Sequence, residues 1–393
     1  MGATVKTGVD LLEKRWPREL KSADIGLLVH PASVNSGLSH TADVCLRSKK
    51  FRISSFFGPQ HGIRGETQDN MIEWEGFRDR KTKIPVYSLY GSTRKPGPRM
   101  LKDIDVMVVD LQDIGSRYYT FIWTMYLVMA ACHEQNKSVL IMDRPNPING
   151  TAIEGPVLEP LYASFVGLKR LPIRHGMTMG ELANYFKETY FPDLDLHIIR
   201  MEGWKRGMWF DECGLPWVLP SPNMPTLDTA AVYPGMCLLE GTNISEGRGT
   251  TRPFEIFGAP FIDPELLARN LKDMQLKGVI FRPLHFLPTF QKHAGMLCGG
   301  CQLHVTDRKI FKPLKTAAAV LKAIHDLYPG KLKWNRPPYE YEEKLLPIDI
   351  LAGTDRFRKD IENSMPLDRM EQWWNSQLAE FNNKSRKRFL IYK

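Results

Sequence analysis

The 393-residue sequence carries only six cysteines, at Cys45, Cys132, Cys213, Cys237, Cys298 and Cys301. Scattered so thinly, they exclude a disulfide-stapled scaffold. No apolar run approaches the roughly 20 residues that cross a bilayer, so no membrane partner is expected. The first fourteen residues lack an apolar stretch between a basic start and a small-residue cleavage site. The chain as numbered therefore reads as cytoplasmic, or as periplasmic or secreted if a leader was removed. There is no Walker or dinucleotide glycine pattern and no recognised nucleic-acid motif.

The net charge of +9 gathers in clusters such as Arg47, Lys49, Lys50 and Arg52, or Lys384, Arg386, Lys387 and Arg388. Without a nucleic-acid motif these read as solvated surface, or as a field suited to an acidic substrate. Hydrophobic residues at 43% and charged residues at 25% match an ordinary globular protein with a sizeable core. The length favours two domains.

Short β-rich apolar runs alternate with amphipathic stretches through the first half, the signature of βαβ units and a mostly parallel sheet. The runs lie at 25–30, 52–57, 86–89, 106–111, 138–142 and 196–200, and candidate helices at 8–13, 40–47, 122–135 and 178–190. Thr178 followed by Glu181 has the form of a capping box, which makes Glu181 structural. Two Pro- and Gly-rich segments, 221–226 and 240–251, read as loops. Helical patterns at 264–275, 314–327 and 368–381 then mark a change of character, which divides the chain near Pro253 into domains of 1–252 and 253–393.

Cys298-Gly-Gly-Cys301 could be half a zinc site or a redox pair. No second CxxC accompanies it, and the alternation of Gln302-Leu303-His304-Val305 is that of a strand, so a structural role is expected and no metal.

In open α/β sheets ligands bind beyond the carboxyl ends of the strands. The segments there are rich in candidates: Gln60, His61, Arg64, Glu66 and Asp69 after the second run, Asp110, Asp113, Arg117 and Tyr119 after the fourth, and Asp143, Arg144 and Asn146 after the fifth. Later loops add Arg174, Asn223, Glu240, Glu246, Arg248 and Thr250. Glycosidic hydrolysis needs two carboxyl groups, one protonated and one ionised, and this set supplies seven. Glu246 precedes a cation by two residues, which favours its ionised form if the side chains meet. Asp110 and Asp113 bracket a turn, where one could serve catalysis and the other cap the following helix. His61 is either a loop acid/base or a core histidine. The arginines suit a sugar carboxylate or a scaffold aspartate equally. Tyr118, Tyr119, Trp123 and Trp217 could stack on a sugar or fill the core.

An ordered series of motifs closely resembles the exo-β-N-acetylmuramidase (NamZ-type) family. They are SLYG at 88–91, DLQDIGSRYYT at 110–120, DRPNP at 143–147, EGPVLEP at 154–160, SFVGL at 164–168, RHGMTMGEL at 174–182, LPSPNMPT at 219–226, YPG at 233–235, EGTNISEGRGTTRPFE at 240–255 and GAPFID at 258–263. The resemblance runs from about Gly8 to the end of the chain. It implies a Rossmann-like catalytic domain, a smaller C-terminal α+β auxiliary domain, and release of N-acetylmuramic acid from the non-reducing end of peptidoglycan fragments without cofactor or metal.

One position departs. The family commonly reads Pro-Glu-His-Gly, with that glutamate as its proposed catalytic residue, where this chain has Pro59-Gln60-His61-Gly62. An amide cannot move a proton as a carboxyl does. Glu66, Asp69 or Asp113 would then have to act as the acid. Alternatives are a sugar-binding protein without turnover and a hydrolase of a different glycoside.

Overall fold

The computed structural model describes residues 4–65, 67 and 71–393. Glu66 and Asp69 lie outside the described residues. Its central sheet contains β1 (Asp24–Val29), β2 (Arg52–Gly58), β3 (Phe77–Arg78), β4 (Pro85–Ser88), β5 (Val106–Asp110) and β6 (Ser138–Met142). After a separate antiparallel pair, β7 (Glu154–Val157) and β8 (Pro172–Arg174), it is completed by β9 (Leu196–Ile199). The order is β3-β4-β2-β1-β5-β6-β9, with every neighbour parallel except the short edge strand β3. Without β3, this is the doubly wound Rossmann arrangement, whose direction reverses between β1 and β5. The central strands β1 and β5 are buried almost throughout, because helices cover both faces.

The helix Phe121–Glu134 is buried on nearly every side. That explains its uniformly apolar sequence, since a helix with no wet face has no polar stripe. The helix Met179–Tyr190 begins with the expected capping box, in which Thr178 accepts from the Glu181 amide and Glu181 from the Thr178 amide. Glu181 also pairs with Arg206 and accepts from the Ile391 amide, pinning the C-terminal strand of chain to this helix. Asp143 does the same one layer away, accepting from Tyr392 at 2.6 Å, Thr178 and the Gly180 amide. Burial, opposed by those donors, pushes its carboxyl up to about 6.

A second, antiparallel sheet has the order β10-β12-β11, from β10 (Ile256–Ala259), β11 (Val279–Phe286) and β12 (Cys298–Val305). Helices Pro264–Asp273, Pro313–Leu327 and Leu367–Phe381 follow the expected patterns closely. The strand β11 had no clear signal, because Pro283 interrupts it and its side chains are mostly half-exposed. As an edge strand it tolerates a proline, whose missing N–H costs no ladder bond on the open side. The helix Leu227–Met236 was also unforeseen; Pro234 lies inside it and removes the amide that would bond the Ala230 carbonyl. One continuous core joins the helix Phe121–Glu134 to Pro313–Leu327 and Pro347–Ala352, so both halves of the chain share it.

The Cys298-Gly-Gly-Cys301 motif lies within β12, with both thiols buried and free. Among the described residues no cluster of His, Cys, Asp or Glu could hold a metal ion, and no helix is long and apolar enough to cross a membrane. The glycines are there for space. A Cβ on Gly300 would stand 1.9 Å from the Phe257 carbonyl oxygen, and one on Gly299 2.1 Å from that of Ile262. Backbone atoms cannot yield as a side chain can, so Gly300→Ala is expected to destabilise the fold by about 3 kcal/mol. Thermal melting checks this against Gly207→Ala, whose Cβ would meet nothing within 4 Å; equal melting temperatures would refute it.

Candidate active site

The carboxyl ends of β2 and β5 open onto a narrow cleft. After β2 the chain turns through His61 and Gly62, both at positive φ, and presents Gln60 and His61. The segment after β5 contributes Tyr118, Tyr119, Thr120 and Phe121. The opposite wall comes from later chain: Ser221, Asn223, Tyr233, Glu240, Arg248, Phe254, Tyr339 and Glu340. Strand-end loops thus meet segments up to 280 residues further on, over the core the two halves share.

One wall is organised by Arg248, which is buried, pairs with Glu240 at 2.8 Å and Glu246 at 3.4 Å, and lies 5.0 Å from the Phe254 ring centroid. Burial works against the guanidinium, yet Glu240 and Glu246 together raise its hold on the proton above the ordinary arginine range. Glu246 is shared with Lys292 at 2.9 Å. Burial opposes its charge, but Lys292 and Arg248 outweigh that and hold it below the usual glutamate range. Glu240 in turn accepts from the Tyr339 hydroxyl at 2.5 Å.

The other wall holds a chain of hydrogen bonds. Thr120 Oγ1 donates to Gln60 Oε1 at 2.7 Å, Gln60 Nε2 donates to the Tyr90 hydroxyl at 3.1 Å, and that hydroxyl donates to Glu340 Oε2 at 2.9 Å. Glu340 is buried, and burial together with the neighbouring Glu240 pushes its carboxyl up to about 7, against the opposing pull of Tyr90, Gln60 and Arg94. His61 faces the same space, with Nδ1 2.8 Å from the Thr67 carbonyl oxygen.

The comparisons with known proteins agree over the whole chain. The family described as "Exo-beta-N-acetylmuramidase NamZ, N-terminal" matches residues 25–228, and its C-terminal counterpart matches residues 231–392. The chain belongs to the NamZ exo-β-N-acetylmuramidase family. It is 47% identical to the peptidoglycan β-N-acetylmuramidase NamZ of Bacillus subtilis (strain 168), over 99% of this chain and 91% of that protein. Crystal structures of two DUF1343 family proteins from Bacteroides fragilis NCTC 9343 superpose with TM-scores of 0.90 and 0.77, at 34% and 30% identity. The coverage is 100% of both chains in the first case, and 100% of this chain and 99% of the other in the second. The junction between the two NamZ segments falls just before Tyr233, so residues of both segments line the cleft.

Of the residues singled out in the sequence, Gln60, His61, Tyr119, Asn223, Glu240 and Arg248 come together on this cleft. Glu246 lies directly behind Arg248, and its side chain does meet the cation two residues on. Thr250 closes the same loop by donating to the Gly247 carbonyl. Other candidates support the cleft from outside it. Asp110 receives Arg144 Nε and Nη2 at 2.5 and 2.8 Å, a buried pair at the sheet's reversal point. Arg117 donates to the carbonyls of Pro156, Leu171 and Leu351, and Arg174 to that of Ile148. Asn146 spans the Met177 carbonyl and the Ile148 amide. Arg64 is exposed and pairs with Asp79 at 2.8 Å.

Neither Asp110 nor Asp113 caps the following helix, contrary to one expectation; its N-cap is Thr120, and no side chain caps it. Asp113 instead accepts from the Gly115 amide and lies 3.1 Å from His175 Nε2, while its Oδ1 is buried without a hydrogen bond. Trp123 and Trp217 pack against the core and donate to carbonyls. Tyr233, Tyr339 and Glu340 were missed as cleft residues, and Tyr90 as the buried side chain that joins Gln60 to Glu340. Tyr90 and Tyr233 stand inside family motifs, which could have flagged them, whereas Tyr339 and Glu340 belong to a segment with no motif.

Removing Arg248 would leave two buried carboxylates without their shared cation. Arg248→Met is therefore expected to lower stability by about 3–5 kcal/mol, read by denaturant unfolding. A loss under about 1 kcal/mol, the usual worth of a surface pair, would show that the cluster is solvated.

Proposed function

We propose that the protein is an exo-acting β-N-acetylmuramidase that releases N-acetylmuramic acid from the non-reducing end of peptidoglycan fragments. The observation that carries this reading is the unbroken similarity to the B. subtilis enzyme across 99% of the chain, which takes in both walls of the cleft. The chemistry of the site supports it. Two buried carboxyl side chains, Glu240 and Glu340, line one cleft, as acid-assisted glycoside hydrolysis requires. Tyr119, Tyr233 and Phe254 offer faces for a pyranose ring. Of the arginines considered for a lactyl carboxylate, Arg248 is the one on the cleft wall, and we assign that contact to it.

Gln60 favours a second reading, a sugar-binding protein without turnover, because both ends of its amide are occupied and it has no proton to exchange. Incubation with 4-nitrophenyl N-acetyl-β-muramoside decides between them. Release of nitrophenol above buffer is expected. No release from a protein that binds N-acetylmuramic acid by calorimetry would leave the second reading standing, and activity only on other aryl glycosides would move the substrate assignment.

A further inference from the structure

We infer that Glu340 is the group that delivers the proton to the departing glycosidic oxygen. This deepens the hydrolase reading above and rests on it. The argument begins with the backbone. Tyr339 and Glu342 exchange both amide-to-carbonyl bonds, at 3.0 and 2.9 Å, around a two-residue turn made of Glu340 and Tyr341. Both central residues have positive φ, 45° and 67°, the requirement of a type I′ turn, which Asn-Gly meets at little cost. Glutamate and tyrosine are both strained in that conformation. Such strain persists when the surroundings over-determine it, and here they do.

Tyr341 is clamped beneath Arg94, whose guanidinium carbon lies 3.2 Å from its ring centroid, while Glu340 is turned inward onto the cleft. A long acidic side chain is thus forced into a buried position where a small polar residue would relax the turn. Among the described residues no cation pairs directly with the buried carboxyl. Arg94 acts on it only at a distance, being engaged with the Tyr90 and Tyr341 rings and with Glu73.

The groups facing it are the Tyr90 hydroxyl, the Gln60 amide and the Glu240 carboxylate, with Tyr339, Tyr341 and His61 close by. Glu240 has Arg248 and the Tyr339 hydroxyl as partners, so the two carboxyls of the cleft sit in opposite environments. With Glu340 pushed up to about 7, its proton is held below neutrality and lost above it.

In the step itself the Glu340 proton passes to the glycosidic oxygen as its bond to C1 breaks, and the bonding electron pair stays on the departing oxygen. Positive charge arising at C1 is balanced by Glu240. Water then adds its oxygen to C1, and the proton it releases restores Glu340. Gln60 and Tyr90 act as positioning residues.

The test compares wild type with Glu340→Gln on two substrates: the β-1,4-linked N-acetylmuramic acid–N-acetylglucosamine disaccharide, whose sugar leaving group needs a proton, and a 2,4-dinitrophenyl β-muramoside, whose leaving group does not. The variant is expected to lose about 10²–10⁴-fold in kcat/KM on the disaccharide and about tenfold or less on the aryl glycoside. It should also lose the fall in activity that wild type shows as pH rises through 7. Equal losses on both substrates, or an unchanged disaccharide rate, would overturn the assignment while leaving the hydrolase reading intact. Wild type inactive on both substrates would overturn both. Should Glu340→Gln fail to fold, Tyr90→Phe decides: removing a donor to the carboxylate should move the alkaline limb to higher pH, and an unmoved limb counts against Glu340.

Discussion

Arg248 lies buried between Glu240 and Glu246, and the contacts that shape the cleft run outward from it. A guanidinium removed from water is tolerable only with carboxylates beside it, and each carboxylate needs the cation for the same reason. Glu246 passes the constraint to Lys292 and Glu240 passes it to Tyr339. Tyr339 opens the turn that aims Glu340 at the cleft. One buried charge cluster therefore sets the position of a second carboxyl that it never touches.

The parallel sheet supplies the facing wall. Its strands end in loops where tight turns put polar side chains beyond the edge, and the reversal between β1 and β5 leaves room there. The charged residues nearest that point serve the scaffold. Asp110 and Arg144 neutralise each other in the dry interior, and Arg117 directs its donors to the carbonyls of Pro156, Leu171 and Leu351. The cleft lies further out, where Gln60 and Thr120 meet chain from the other half.

Motif recognition was a good guide to which loops gather and a poor guide to what each side chain does there. DLQDIGSRYYT contains Tyr118, Tyr119 and Thr120, which face the cleft, next to Arg117, which faces away. At a turn, neighbouring side chains diverge by large angles, and nothing in residue type records which way each goes. The Glu340 segment shows the converse: it carries no recognised motif, and its importance arises from a strained turn and from Tyr90, 250 residues earlier.

Local sequence pattern by itself determined the parallel strands, the long helices and the capping box at Thr178, because apolar runs and a hydroxyl three residues before a glutamate are features that a single segment expresses. Family resemblance added the class of enzyme. Tertiary structure alone decided which carboxyls share a cavity, which arginines are consumed by backbone carbonyls, and why β12 needs two adjacent glycines. Those outcomes depend on the approach of atoms far apart in the chain, where desolvation and a few ångströms of separation set both charge and role, and no local pattern of residues encodes such distances.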